Sequence, residues 1–140
     1  MTDSEKIYEF IKSHNLAVLS TVTHDFLPQS AVVGFSEREN LELIFGTSSK
    51  ARKYQNLLKN PRVSIVIGWD KGKTVQYEGE AVELKGETER QEAISTYLSK
   101  TPSAAKFLSD SEEAIFKVVP KWIKYMDLSV DPWDVIELRF

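Results

Sequence analysis

The chain has 140 residues, 41% apolar and 28% charged, which is enough for one domain with its own core and ordinary for a globular protein. A net charge of −3 and a pI near 5.5 exclude a global basic field for nucleic acid or anionic membrane, and the absence of cysteine excludes disulfides, thiolate metal ligands and cysteine nucleophiles. No apolar run reaches the ~18 residues of a membrane span, and MTDSEKIYEF lacks the basic start and apolar core of a signal peptide, so the chain reads as cytoplasmic.

In chain order, Thr2–His14 reads as a helix. Thr2 and Glu5 have capping-box spacing, and Ile7, Phe10 and Ile11 share a face. Leu16–Val22 is a strand, followed by a polar turn at Thr23–Asp25. Pro28 then opens a second strand, Gln29–Phe35, and the two form a hairpin. After a turn at Ser36–Asn40 comes the most informative stretch. Leu41–Thr47 alternates as a strand, Ser48 and Ser49 offer caps for a helix over Lys50–Lys59, Asn60-Pro61 stops it, and Arg62–Ile67 is a second strand. Gly68-Trp69 and the turn Asp70–Lys73 lead into a long strand, Thr74–Leu84, in which Gly79 marks a bulge or bend. Glu87–Ser99 is an amphipathic helix carrying Ala93, Ile94, Tyr97 and Leu98, stopped by Thr101-Pro102, and Ser103–Leu108 adds a short helix. The end is three strands, Ala114–Val119, Trp122–Leu128 and Asp134–Phe140. Many short strands with tight turns and few helices give an α+β domain, residues 1–140, built on an antiparallel barrel or sandwich.

Lys50, Arg52 and Lys53 place three cations in the first turn of the helix after Thr47. There they oppose the positive N-terminal end of the helix dipole, and a bound anion, most simply a phosphate, relieves that conflict. His14 and His24, the only histidines, have no ligand-spaced neighbours and read as surface residues. No metal site is indicated, and no nucleophile motif, G-x-G-x-x-G or Walker A sequence is present. Glu78, Glu80 and Glu83 read as the solvent face of a strand. Trp69, Trp122, Tyr125 and Trp133 are open to two readings, packing in the core or a dimer interface, or a lid over a flat aromatic ligand.

Phe45-Gly46-Thr47, Arg52-Lys53 and Asn60-Pro61-Arg62-Val63 together resemble the strand–helix–strand signature of the pyridoxamine 5′-phosphate oxidase-like FMN-binding split barrels. Pro28, Trp69, Gly79, the stretch PKWIKYMD and the terminal VIEL extend the likeness over nearly the whole chain. The resemblance implies an antiparallel split β-barrel with peripheral helices, a homodimer, and FMN in the groove between subunits. It implies that Ala31, Val32 and Val33 meet the flavin through backbone. It further implies that Gly46 and Thr47 border the flavin or its ribityl chain, that Arg52 and Lys53 hold the phosphate, and that Thr74 and Met126 lie at further contact positions.

The chain also departs from the family. Ala31 stands where the oxidase that makes pyridoxal phosphate has an arginine for the FMN phosphate. Its lysine, tyrosine, arginine and serine for the substrate phosphate correspond here to Ser36, Tyr97, Thr101 and Ala105, and a late arginine and histidine to Asp131 and Trp133. Met126 replaces a tryptophan. A pocket without those cations desolvates a phosphorylated substrate with no partner, which points away from true pyridoxamine-phosphate oxidation. The implied function is an FMN-dependent oxidoreductase of unknown substrate with no assigned catalytic residue. Three alternatives stay open: a split barrel using F420 or haem, a non-catalytic flavin-binding or stress-response module, and an interaction domain whose ancestral site is empty.

Overall fold

The computed structural model describes all 140 residues. Helix α1 (Asp3–Lys12) begins at the expected capping box: the Thr2 hydroxyl accepts from the Glu5 N–H while the Glu5 carboxylate accepts from the Thr2 N–H. Its Ile7 and Ile11 are fully buried. Strands β1 (Leu16–Val22) and β2 (Pro28–Gly34) form the expected hairpin, paired from Leu16–Gly34 to Val22–Pro28. The segment read as a turn at Ser36–Asn40 opens instead with a two-residue strand, β3 (Ser36–Glu37), paired to β4 (Leu43–Ser48). Two residues carry too little pattern to be read as a strand. Next come α2 (Arg52–Lys59), β5 (Arg62–Ile67) and β6 (Lys73–Glu83). Helix α3 (Glu87–Lys100), a 3-10 turn (Pro102–Ala104) and α4 (Ala105–Leu108) precede the final pair, β7 (Glu113–Asp127) and β8 (Asp134–Arg139).

All pairings are antiparallel. The strands run β2-β1-β5-β6-β7-β4-β3, and β8 pairs with β7 beside β4. The result is an α+β curled half-barrel. Its fifteen-residue strand β7 corrects the reading of two separate strands split at Pro120-Lys121. Proline survives there because neither edge asks for its missing N–H. On one side β6 bulges between Glu78 and Gly79; on the other, β7 passes from pairing with β4, which stops at Val118 of β7, to pairing with β8, which starts at Trp122 of β7. Gly79 is required at that corner, since a Cβ would lie 2.5 Å from the carbonyl oxygen of Val119.

The main core fills the inside of the curl with Leu19, Phe45, Ile65, Val75, Tyr77, Phe116 and Ile123, against α1. Tyr77 is fully buried, and its hydroxyl donates to the Leu41 carbonyl at 2.7 Å and lies 3.2 Å from that of Val118. Those bonds answer the demand that a buried phenol finds partners. A smaller cluster of Ile44, Leu84, Ala93, Tyr97, Ala104, Leu108 and Ile115 seats α3 and α4 over β4 and β7. The half-buried Lys100–Glu37 ion pair ties the end of α3 to β3, with the ammonium 4.1 Å from the centre of the Phe35 ring. No helix is long and apolar enough to cross a membrane.

Candidate functional site

The site begins where β4 ends. Ser48 does not cap a helix. Its hydroxyl accepts from the Lys50 N–H at 3.2 Å, closing a turn two residues long, while the Ser49 N–H donates to the Glu112 carbonyl at 2.8 Å. Lys50 pairs with Glu112 at 3.0 Å and stays in that loop. The chain therefore turns helical only at Arg52, two residues later than the serines indicate, with Ala51 as a cap that offers no side-chain acceptor. Arg52 and Lys53 are then the first two helical residues, where backbone N–H groups have no intrahelical acceptor and no acidic side chain offsets the dipole. Neither cation is spent on an ion pair, since those formed by the chain draw on Lys6, Arg38, Lys50, Lys100 and Arg139.

Helix α2 is held in place from below. Asn56, 8% exposed, donates both to the Thr21 hydroxyl (3.0 Å) and to the Gln29 amide oxygen (2.9 Å), fastening the helix to β1 and β2. On its other flank the Tyr54 hydroxyl donates to Glu83 at 2.9 Å and the ring meets Phe116 edge-on. One member of the acidic run is therefore a partner of α2 rather than solvent surface.

Two adjoining hollows run along β2. The first, about 230 Å³, lies between Leu19 and Thr21 of β1, Gln29 and Ala31 of β2, and the Arg52–Lys53 start of α2. The second, about 240 Å³, continues past Val32 and Val33 to Gly46, Tyr97, Leu108 and Glu113. Lys53 lines both. A larger and more open depression of about 530 Å³ lies where Ser20, Ser64 and Glu78 stand side by side across β1, β5 and β6. It holds charges of both signs, Arg62 and Lys121 against Glu78 and Glu80, and none of the residues expected to bind a cofactor. The helix start directs an anion to the hollows on β2 instead.

Glycines bring two polar groups to the second hollow. A Cβ on Gly34 would lie 2.4 Å from the Tyr97 hydroxyl, and one on Gly46 would lie 2.9 Å from Glu113 Oε1. The bare backbones of β2 and β4 thus admit a phenol and a carboxylate that larger residues would displace. Burial raises the Glu113 carboxyl above its ordinary pKa and Asp110 adds to this, while Lys53 and Arg90 pull it down. Burial, then the charge of Glu113, raises the Tyr97 phenol. The Arg90 guanidinium donates to the backbone carbonyl of Glu113 at 3.0 Å, and no hydrogen bond or ion pair within the chain takes up the Glu113 carboxylate itself.

Of the residues expected to bind a cofactor, Ala31, Val32, Val33, Gly46, Arg52 and Lys53 come together along these hollows. Thr47 is 3% exposed and lies behind them, its hydroxyl donating to the Ser48 carbonyl at 3.4 Å. Thr74 and Met126 face each other across β6 and β7, outside both hollows. Ser36 is fully buried with an unpartnered hydroxyl. Trp69 and Trp133 are 58% and 62% exposed rather than in the core, and Trp122 is half-buried and donates to Glu137 at 2.8 Å. Glu113 was missed in the sequence. Its signal is the pair of glycines, Gly34 and Gly46, inside strands that otherwise read as packed.

Comparison with known proteins identifies the family and the fold. Residues 3–127 match the family model described as pyridoxamine 5′-phosphate oxidase. The pyridoxine/pyridoxamine 5′-phosphate oxidase of Wolbachia pipientis wMel is 30% identical, aligned over 69% of this chain and 49% of that protein, so the chain spans about half the length of this curated relative. General Stress Protein 26 from Bacillus anthracis str. Sterne superposes with a TM-score of 0.76 at 25% identity, covering 100% of both chains. A haem-binding protein from Mycobacterium smegmatis superposes with a TM-score of 0.82, covering 99% of this chain and 59% of that one. At 17% identity this likeness is one of fold.

Proposed function

Since the chain belongs to the pyridoxamine 5′-phosphate oxidase family, we propose that it binds FMN and works as a small flavin-dependent oxidoreductase on a substrate other than a phosphorylated vitamer. The observation that carries the reading is the start of α2: two unpaired cations and free backbone N–H groups above a hollow on β2. A phosphate dianion fits that donor set, because charge-assisted bonds and the helix dipole act together on it. Lys53, half-buried and lining both hollows, would hold the phosphate most firmly; the exposed Arg52 would add a second, better-solvated contact. The backbone of Ala31–Val33 and Gly46 would border the ring system, and the buried Thr47 would brace the strand end that carries the loop. FMN, when bound, supplies hydride chemistry, and the protein supplies position and electrostatics.

Thr74 and Met126 enter this reading through a second copy of the chain. They share a row with Val135 across β6, β7 and β8, and that row, with the exposed Leu16 and Val32, would face the other subunit of a homodimer. Ser36, Thr101 and Ala105 supply no cation for a substrate phosphate, which is why a phosphorylated vitamer is set aside. A haem reading finds less support, since neither His14 nor His24 lines the hollows.

The test is an FMN titration of flavin-free protein followed by flavin fluorescence, with Lys53→Ala alongside. Saturable binding weakened by about tenfold or more in the variant, roughly 1.4 kcal/mol, is the expected outcome. Wild type that leaves FMN unbound while taking up haem would overturn the proposal. Sedimentation at micromolar concentration checks the dimer, and a monomer that binds FMN refutes that part.

A further inference from the structure

We infer that the open depression across β1, β5 and β6 receives the β5–β6 turn of a second copy of this chain, with Trp69 as the anchor. The inference rests on the homodimer of the proposed function and adds the contact that holds it. A twofold interface makes that contact twice, each copy giving a turn and offering a depression.

The outer face of β2, β1 and β5 carries a row of Val32, Val18 and Val66 and beside it a row of Ser30, Ser20 and Ser64, with no charge in either. The centre of a protein interface is depleted of charge in the same way, and Val32 is 61% exposed in the single chain. At one end of this face, beyond Ser20 and Ser64, lies the depression of about 530 Å³. Val22, Phe26 and Pro28 make its apolar rim, and Phe26 has a φ of 67°, a conformation that a bulky residue adopts only when its surroundings hold it there. The charges around it, Arg62, Lys121, Glu78 and Glu80, enter no ion pair within the chain. At the opposite end of the face, past Ile67, the β5–β6 turn presents the exposed Trp69, followed by Asp70 and Lys71, which also enter no ion pair.

A twofold axis brings these two ends together. In the proposed dimer, Val32 of one copy faces the row of Thr74, Met126 and Val135 of the other, whose middle member is Met126. In the strand order β2-β1-β5-β6-β7, the strand midway between Val32 and Met126 is β5. Val32 is level with Val66, and Met126 with Thr74, one residue past the Ile67–Val75 pair, so the axis passes close to Ile67. It carries Trp69, two residues past Ile67, to the same distance on the other side, over Ser64 and Ile65. The turn that follows then enters the depression. A cavity of about 150 Å³ already admits benzene, so about 530 Å³ takes an indole and the two charged side chains after it. The charges correspond: Lys71 meets Glu78 and Glu80, and Asp70 meets Arg62 and Lys121. Complementary charges of this kind fix register, while a tryptophan seated among apolar groups supplies affinity. Of the two readings open for Trp69 in the sequence, packing at a dimer interface is therefore the one the geometry favours.

The experiment is sedimentation equilibrium of the full chain, with and without FMN, for wild type, Trp69→Ala and the control Leu58→Ala. Leu58 is a comparably exposed apolar residue on α2, away from the depression. Trp69→Ala is expected to raise the dimer Kd at least about thirtyfold, the effect of losing an interface anchor, while Leu58→Ala stays within about threefold of wild type. Lys71→Glu should also weaken the dimer, and adding Glu78→Lys to it should restore most of the loss, since the pair then exchanges signs. A dimer that Trp69→Ala leaves within threefold of wild type overturns the inference and leaves the homodimer standing. A double charge reversal weaker than either single one overturns the seating of the turn in the depression. A wild-type chain that stays monomeric while binding FMN sinks both the dimer and this contact. A dimer that takes no FMN but is weakened by Trp69→Ala keeps the inference and sinks the flavin reading.

Discussion

Asn56→Ala tests whether α2 is a clamped platform or merely a helix on a surface. The side chain is 8% exposed and makes two bonds, to Thr21 at 3.0 Å and to Gln29 at 2.9 Å. Each bond contributes about 1 kcal/mol net, and the losses differ at the two ends. Gln29 is half-buried and can turn to water; the Thr21 hydroxyl is 3% exposed and is left without its partner. The gross loss is about 2 kcal/mol. Alanine recovers about 0.5 kcal/mol through its better helix propensity, so the net destabilisation is about 1.5 kcal/mol. For a chain of this length that lowers Tm by about 6 °C. Urea melts of wild type, Asn56→Ala and the control Gln55→Ala measure it. Gln55 is exposed on the same helix, so its variant reports propensity alone. A midpoint shift with unchanged slope is expected for Asn56→Ala only. Because Arg52 and Lys53 ride on the same helix, FMN affinity should fall in Asn56→Ala although no phosphate contact has been removed. If the two variants agree within about 0.5 kcal/mol, the clamp is not holding the helix and the reasoning fails.

Two further perturbations follow from the same geometry. Gly79→Ala places a methyl 2.5 Å from a backbone carbonyl at the barrel corner, so β6 or β7 must shift. A loss of about 2–3 kcal/mol in thermal or urea melts is expected, and a loss below about 0.5 kcal/mol would contradict the bulge as described. Glu113→Gln should be more stable than wild type at neutral pH. The folded-state pKa of Glu113 lies above its ordinary 4.5, so the stability it contributes is whole below pH 4.5 and is lost as pH rises through the folded value. Glutamine never ionises and escapes that loss; the gain is small, because much of the group is solvated, and it should vanish in melts at pH 4. An equal difference at both pH values would refute the assignment.

Most of the fold was legible because local signals agreed with one another. The Thr2–Glu5 box, the Pro28 strand start and the Gly79 bulge are each decided within a few residues and each stands as read. The failures share one cause, which is that a distant element settled a local question. Pro120 looks like a strand break until Gly79 and the β4-to-β8 handover are placed beside it. Ser48 and Ser49 look like caps until the Glu112 carbonyl takes the Ser49 N–H and the Ser48 hydroxyl closes its own turn, which moves the helix start to Arg52.

The site divides along the same line. Arg52 and Lys53 were readable because a helix start concentrates its chemistry in one turn, and the two-residue shift left both cations in that turn. Glu113 was not readable, since its role depends on α3 bringing Tyr97, and β4 bringing Gly46, to the same hollow. The trace in the sequence that bears directly on Glu113 was the second of two glycines, at the centre of β4, at a position where its neighbours Phe45 and Thr47 are buried and large side chains would be the default. A strand gives up a side chain there for a reason, and at Gly46 the reason is a carboxylate that needs the space. The same logic makes Gly46→Ala a test of the second hollow. Its methyl would press on the Glu113 carboxylate, which is the flexible partner and would swing aside, and it would stand where the flavin ring is proposed to border the bare strand. FMN affinity should therefore fall in a fluorescence titration, and an unchanged affinity would refute that placement of the ring.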